Sequence, residues 1–342
     1  MTIPHDVPAL EPRENPILLG HNDAMAAIDD AIRLQRSHHA WLLTGPQGIG
    51  KATLAFRFAR QLLAGPGVPA AAVHDPASPL FRRVAAGTHA DLLTIEREWD
   101  DKRKRLQSEI VVNSARNVAE FLRLTPAEGG WRLIVVDGAE YLNRNAANSL
   151  LKILEEPPPR AVLLLVCAAP GRLLPTIRSR CRRLRMGALG PSDMDAILAT
   201  CLPALGAEDR AALALVSGGS PGRALALAED QGIAIAALVA DVLRAAPNLP
   251  VVRAYEVADK LARNDAGFAI FMNLLREAIS SAIRNVVRGD GDAAQRRLAS
   301  LRPLAGWGDL WHALTRLQDD TERFNLDKRH AIVSGLDMLN AP

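Results

Sequence analysis

Aromatic side chains are scarce in this chain, 4% of its 342 residues. Stacking of bases on exposed rings is therefore not expected as its main means of recognition. Cysteine is rarer still, with Cys167, Cys181 and Cys201 showing no C-x-x-C spacing. That argues against a disulfide framework and against a cysteine zinc site, and it fits a reducing cytosol. The longest apolar run, AVLLLVCAA over 161–169, is too short to cross a bilayer. The opening MTIPHDVPALEPREN has neither the basic start nor the apolar stretch of a secretory signal. A cytoplasmic protein with no membrane partner is the expectation. Neither charge sign dominates: 41 Lys plus Arg stand against 38 Asp plus Glu, a net charge of +3. That balance permits contact with nucleic acid without arguing for it.

What is present is a rhythm of short apolar runs and amphipathic spacings. AMAAIDDAIRLQ has helical spacing, with Met25, Ile28, Ile32 and Leu34 expected to face inward. AWLLT (40–44) reads as a buried strand that feeds a glycine turn. ATLAFRFARQLLA (52–64) returns to helical spacing through Leu54, Phe58 and Leu62. GPGVPAAAVHDPASP (65–79) is rich in Gly and Pro and is expected to be irregular. DLLTIERE reads as a strand, and the charge run DDKRKR (100–105) as a solvated loop before a nucleic-acid patch. VNSARNVAEFLRL has a helical apolar side near Val118, Phe121, Leu122 and Leu124. WRLIVVDGAE (131–140) and AVLLLVCAA are two more buried strands. Between them NAANSLLKILEE is a helix that the prolines 157–159 end. Alternation of this kind predicts a three-layer α/β domain with a parallel sheet. From GALGPSD (187–193) onward the spacing is helical. The best stripe there is Phe268, Phe271, Met272, Leu275, Ile279 and Ile283.

The chemistry is concentrated in GPQGIGKAT (45–53), which follows a strand and opens a helix. It meets the phosphate-loop pattern G-x-x-x-x-G-K-[ST] except at its last position. Backbone N–H groups of such a turn cradle phosphate oxygens, and the lysine adds a point charge. Gly45, Gly48, Gly50 and Lys51 are in place, whereas Ala52 offers Mg²⁺ no hydroxyl. Thr53 lies about 100° further round the helix and is a poor substitute. Asp137, at the end of the second long strand, is the expected magnesium-organising acid. Gly138 follows it where many ATPases have a catalytic glutamate, and Glu140 needs an unusual turn to replace it. Hydrolysis is not expected. Whether the loop holds a nucleotide or is kept for its packing stays open. The segment TIRSRCRRLRM (176–186) reads either as a basic, solvated strand end or as a means of presenting Arg180 to a neighbouring subunit. A planar, permanently charged guanidinium suits a phosphate.

GPQGIGKA, LIVVDGAE, NAANSLLKILEEPPP and TIRSRCRRL, in this order and spacing, resemble the clamp-loader branch of the AAA+ ATPases. The likeness extends through LLGHNDA, GTHADLL, SGGSPGRALAL and RFNLDKRHAI, nearly the whole chain. It implies an AAA+ P-loop domain (1–187), a small helical lid (188–232) and an all-helical collar for oligomerisation (233–342). It also implies a function: ATP-dependent loading of a ring-shaped sliding clamp onto primed DNA. The implied partners are motor subunits of the gamma/tau kind and a delta subunit, with the clamp and primer-template DNA contacted indirectly. Within that family the Arg of Ser-Arg-Cys, here Arg180, completes the ATP site of the adjacent motor subunit. Ala52, Gly138 and the alanines at 168–169 depart from the motor pattern, so the resemblance implies a rigid, non-hydrolysing member. The rival reading is an active motor ATPase, favoured by Lys51 and Asp137. The lid's sensor arginine falls on Gly222, one place from Arg223, whose plainer reading is a surface arginine. The place of the family's four-cysteine zinc module holds no cysteine. His74, Asp75 and His89 lack ligand spacing and are expected to be solvated, so no zinc is expected. No cofactor is required; ATP or ADP is an open occupant of the loop, with Mg²⁺ weak or absent.

Overall fold

A computed structural model describes residues 11–33, 38–100, 105–111, 118, 120–128, 130–228, 232–261, 265–289 and 291–340. The run at 101–104, Leu34 and 112–117 lie outside the described residues. The described residues divide into two compact units, one up to residue 189 and one from residue 190.

In the first unit α1 (Asn22–Arg33) precedes β1 (Ala40–Thr44), α2 (Lys51–Ala64), α3 (Ala70–Val73) and α4 (Pro79–Ala85). Then come β2 (Leu92–Ile95), β3 (Trp99–Asp100), β4 (Arg105–Leu106), β5 (Arg132–Asp137), α5 (Arg144–Glu155), β6 (Ala161–Cys167), α6 (Pro175–Arg178) and β7 (Arg182–Arg185). Five strands form one sheet in the order β2-β5-β6-β1-β7, and every pair in it is parallel. Side chains alternate between its faces. Trp41, Leu43, Leu133, Val135, Val162 and Leu164 share a core with Ile28, Leu54 and Phe58 of the flanking helices. Leu42, Ile134, Val136, Leu163, Leu165 and Cys167 pack on the other face with Leu150, Leu154 and Ile177. Burial on both faces explains why these strands read as unbroken apolar runs. It is the α/β architecture expected of an AAA+ P-loop domain.

β7 occupies a sheet edge, and its Arg182, Arg183 and Arg185 are exposed while Leu184 is buried. Charge on an edge strand deters pairing with another chain. The segment 65–79 is less irregular than expected. Ala70–Val73 makes one helical turn, and Ser78 Oγ accepts the N–H of Phe81 to cap α4, with Pro79 at its first position. His74 and His89 are buried rather than solvated. His89 Nδ1 accepts the Asp91 N–H at 3.1 Å. Burial, and then Arg57 and Arg60, push the His74 pKa down to about 3. Asp75 is exposed and accepts the Ala77 N–H. Among the described residues no group of three or more His, Cys, Asp or Glu could hold a metal ion. In VNSARNVAEFLRL, Val118 and Leu122 are buried, whereas Leu124 is exposed, past the last helical residue.

In the second unit the described residues outside turns are helical: α7 (Pro191–Cys201), α8 (Ala207–Val216), α9 (Pro221–Ala228), α10 (Gly232–Ala245), α11 (Val251–Leu261), α12 (Asp265–Arg288), α13 (Ala293–Ala299), α14 (Leu304–Phe324) and α15 (Lys328–Asn340). The predicted stripe on α12, from Phe268 to Ile283, is buried at every position named above. α8 packs against α10 and α12, so the segments expected as lid and collar share one packed unit. Among the described residues no helix is long and apolar enough to cross a membrane.

A closed phosphate loop and a tethered arginine

β1 and β6 lie side by side, with Thr44 opposite Cys167. Successive connections leave this strand pair in opposite directions, the place where open α/β sheets bind ligands. Gly45 passes so close to the end of β7 that a Cβ would meet the Met186 carbonyl oxygen at 2.4 Å. Gly48 and Gly50 take φ of 75° and 99°, a region open to glycine at little cost. Gly50 caps α2 without any side-chain partner. The first amides of α2 thus lack intrahelical acceptors and face the loop, as an anion site requires.

The lysine is turned inward. Lys51 is buried, and its Nζ donates to the carbonyl oxygens of Gly45 at 3.0 Å and Pro46 at 2.6 Å. Burial lowers its pKa, opposed by Glu140 and Asp137. Ala52 is half-buried, and Thr53 is buried in α2. Asp137 closes β5 as expected, opposite Val166. Its pKa is pushed up to about 6, first by burial and then by the carboxylate of Glu96, with Glu140 and Glu11 adding smaller shares and Lys51 opposing. Carboxylates outnumber Lys51 among the charges that act on Asp137, which is unfavourable for a triphosphate.

Position 138 shows why no acid follows. Gly138 has φ 81°, and a Cβ there would meet the Tyr141 ring at 2.8 Å. A glutamate would be strained and would collide. Gly138→Ala is expected to cost about 1–3 kcal/mol, read from denaturant melts; an unchanged midpoint would show that the turn relaxes freely. Glu140 lies in a turn of a different use. It is a single 3-10 turn, Ala139–Tyr141, closed by the Tyr141 N–H on the Gly138 oxygen at 2.9 Å. Glu140 Oε1 accepts the Ala168 N–H at 2.9 Å, which ties the turn to the end of β6. Burial and this carboxylate push the Cys167 thiol up to about 12. The G-x-E spacing after β5 was the only sequence signal of this contact.

The hydroxyl that holds Mg²⁺ in a phosphate-loop enzyme is missing at Ala52. Of Glu140, Oε1 is engaged with a backbone amide and the buried Oε2 has no hydrogen-bond partner.

Arg180 lies beyond α6, in a segment held by fully buried Ile177 in the same core as Leu150 and Leu154 of α5. Its Nη1 donates to the Thr176 oxygen at 3.0 Å, and its Nη2 pairs with Glu155 Oε1 at 2.9 Å. Arg223, on α9, pairs with Glu277 of α12 at 3.1 Å. That is an ion pair within the second unit.

Residues 20–189 match the family model described as DNA polymerase III, delta subunit. The delta' subunit of Pseudomonas aeruginosa is 42% identical over 183 residues, 54% of this chain and 53% of that protein. The delta' subunit of Escherichia coli is 34% identical over 194 residues, 56% and 55% of the two chains. The tau subunit of Escherichia coli is 31% identical over 174 residues, 50% of this chain and 25% of that one. The chain thus spans about half the length, or less, of the curated relatives it matches. A solved DNA polymerase III gamma subunit-related protein from Thermotoga maritima covers 92% of this chain and 99% of its own, at 16% identity and a TM-score of 0.42. Residues 20–189 are thus similar to the delta-prime-like clamp-loader subunits of DNA polymerase III.

Proposed function

We propose that this chain is the non-hydrolysing member of a cytoplasmic DNA polymerase III clamp loader. It assembles with gamma/tau motor subunits and a delta subunit and lends Arg180 to the ATP site of one motor neighbour. Cycles of that ATPase place the sliding clamp on primed DNA. Arg180 serves by setting a fixed positive charge against the γ-phosphate, where negative charge spreads during transfer. The chain's own loop is a structural element, and it needs neither Mg²⁺ nor zinc. In this reading 188–232 is the lid and 233–342 the collar, and Arg223 braces α9 on α12 rather than sensing phosphate.

The observation that supports the reading is the left-handed turn at Gly138, where a Cβ would meet the Tyr141 ring and no catalytic glutamate fits. Lys51 donates to two loop carbonyls, while Ala52 and Gly138 remove the two groups that organise metal and water. The motor alternative has its own support in Lys51, Asp137 and the tau-like half of the chain. The purified chain decides between them. It is expected to show no ATP turnover above background, and Lys51→Ala is expected to change neither that nor the calorimetric ATP-binding signal. A turnover equal to that of a gamma subunit would install the motor reading instead.

A further inference from the structure

Glu155 is the last residue of α5, where the helix presents its unsatisfied carbonyls and the negative end of its dipole. A carboxylate there does the helix no service, since cations are the residues favoured in a last turn. What it touches is Arg180. The contact is not left to chance. α6 packs on α5, and Ile177, between Thr176 and Arg180, is sealed into the core beside Leu150 and Leu154. The stretch bearing the arginine is thereby fixed to the helix bearing the glutamate.

We propose that Glu155 is the positioning residue that aims Arg180 at the neighbouring subunit's γ-phosphate, an inference that rests on the trans-arginine reading above. The guanidinium is gripped at two points, with Thr176 O on Nη1 and Glu155 Oε1 on Nη2. Two contacts leave three of its five N–H donors unspent. A phosphate can be met without release of either. The two grips lie on different nitrogens, so they set the plane of the fork as well as its distance, and a planar donor demands that. The pair is part-exposed, 36% for the arginine side chain and 51% for the glutamate. It therefore adds little to folding. What it removes is rotamer freedom that a long side chain would otherwise lose at each encounter.

The test is ATP turnover by the loader reconstituted with clamp and primed DNA, comparing Glu155→Ala, Glu155→Gln, Arg180→Ala and the double variant E155A/R180A. Glu155→Ala is expected to lower turnover roughly two- to five-fold at saturating ATP. The KM for ATP, the elution of the complex and the melting temperature of the chain stay as they were. Glu155→Gln, which keeps an acceptor, is expected to restore most of the loss. In the Arg180→Ala background, removal of Glu155 changes nothing further. A rise in turnover with Glu155→Ala would overturn the proposal, since it would make the carboxylate a restraint. Equal losses with and without Arg180 would do so too, as would no loss at all. If Arg180→Ala is itself silent, the trans-arginine reading falls and this one falls with it. A silent Glu155→Ala beside a damaging Arg180→Ala removes this one alone.

Discussion

Arg180→Ala is expected to leave the chain folded while cutting turnover at the one motor site it completes by a factor of roughly 10³ or more. The two halves of that statement have separate causes. In the folded chain Arg180 makes one backbone contact and one part-exposed ion pair. Such a pair is worth less than about 1 kcal/mol, so the melting temperature is expected to stay close to that of the unaltered chain. At a γ-phosphate the same guanidinium works in a water-poor seam, where a fixed charge aimed at developing charge is worth several-fold more. Lysine is not expected to rescue, because it has the charge without the fork. Because a loader holds more than one motor site, the loss is best read with a single competent site or in pre-steady-state bursts. An Arg180→Ala loader that fires every site at the usual rate would remove the function proposed above.

Asp137→Asn is the second large effect, and its sign runs against intuition for a residue in a nucleotide-site position. The folded pKa of Asp137 is raised to about 6 from 3.8. The native state therefore disfavours the carboxylate. Stability from the neutral acid is fully present below about pH 3.8 and is lost as pH rises through about 6. At pH 7 the ionised group costs the fold about 1–3 kcal/mol. Asparagine keeps the shape without the charge. The variant is expected to be the more stable protein at pH 7, with the advantage vanishing near pH 4. Chemical denaturation at several pH values reads the difference directly. A destabilised variant whose deficit shrinks as pH falls would mean that Lys51 holds the carboxylate as a true ion-pair partner, and a gap that does not change with pH would mean that folding leaves the Asp137 pKa unshifted.

The resemblance to clamp loaders needed no coordinates, because its signals are local. A glycine loop between a strand and a helix, a Pro-terminated LLKILEEPP helix and a Ser-Arg-Cys triplet are each written in consecutive residues. Buried parallel strands announce themselves as apolar runs, and the stripe from Phe268 to Ile283 follows one face of one helix. Errors arose where short range and long range disagreed. Gly and Pro made 65–79 look irregular, yet Ser78 and Pro79 start a helix there. His74 and His89 looked solvated because their burial is not local: Arg57 and Arg60 of α2 are the charges that act on His74.

By itself the amino-acid order determined the architecture, the absent magnesium hydroxyl at Ala52 and the absent acid at Gly138. Only the tertiary structure decided where the charged groups are engaged. Lys51 bends back onto Gly45 and Pro46, Glu140 is tied to Ala168, Arg223 to Glu277 and Arg180 to Glu155. The physical reason is one of range. Strands and helices follow from the periodicity of neighbouring residues, whereas the partner of a long, charged side chain depends on which distant segment the packed core brings within about 3 Å.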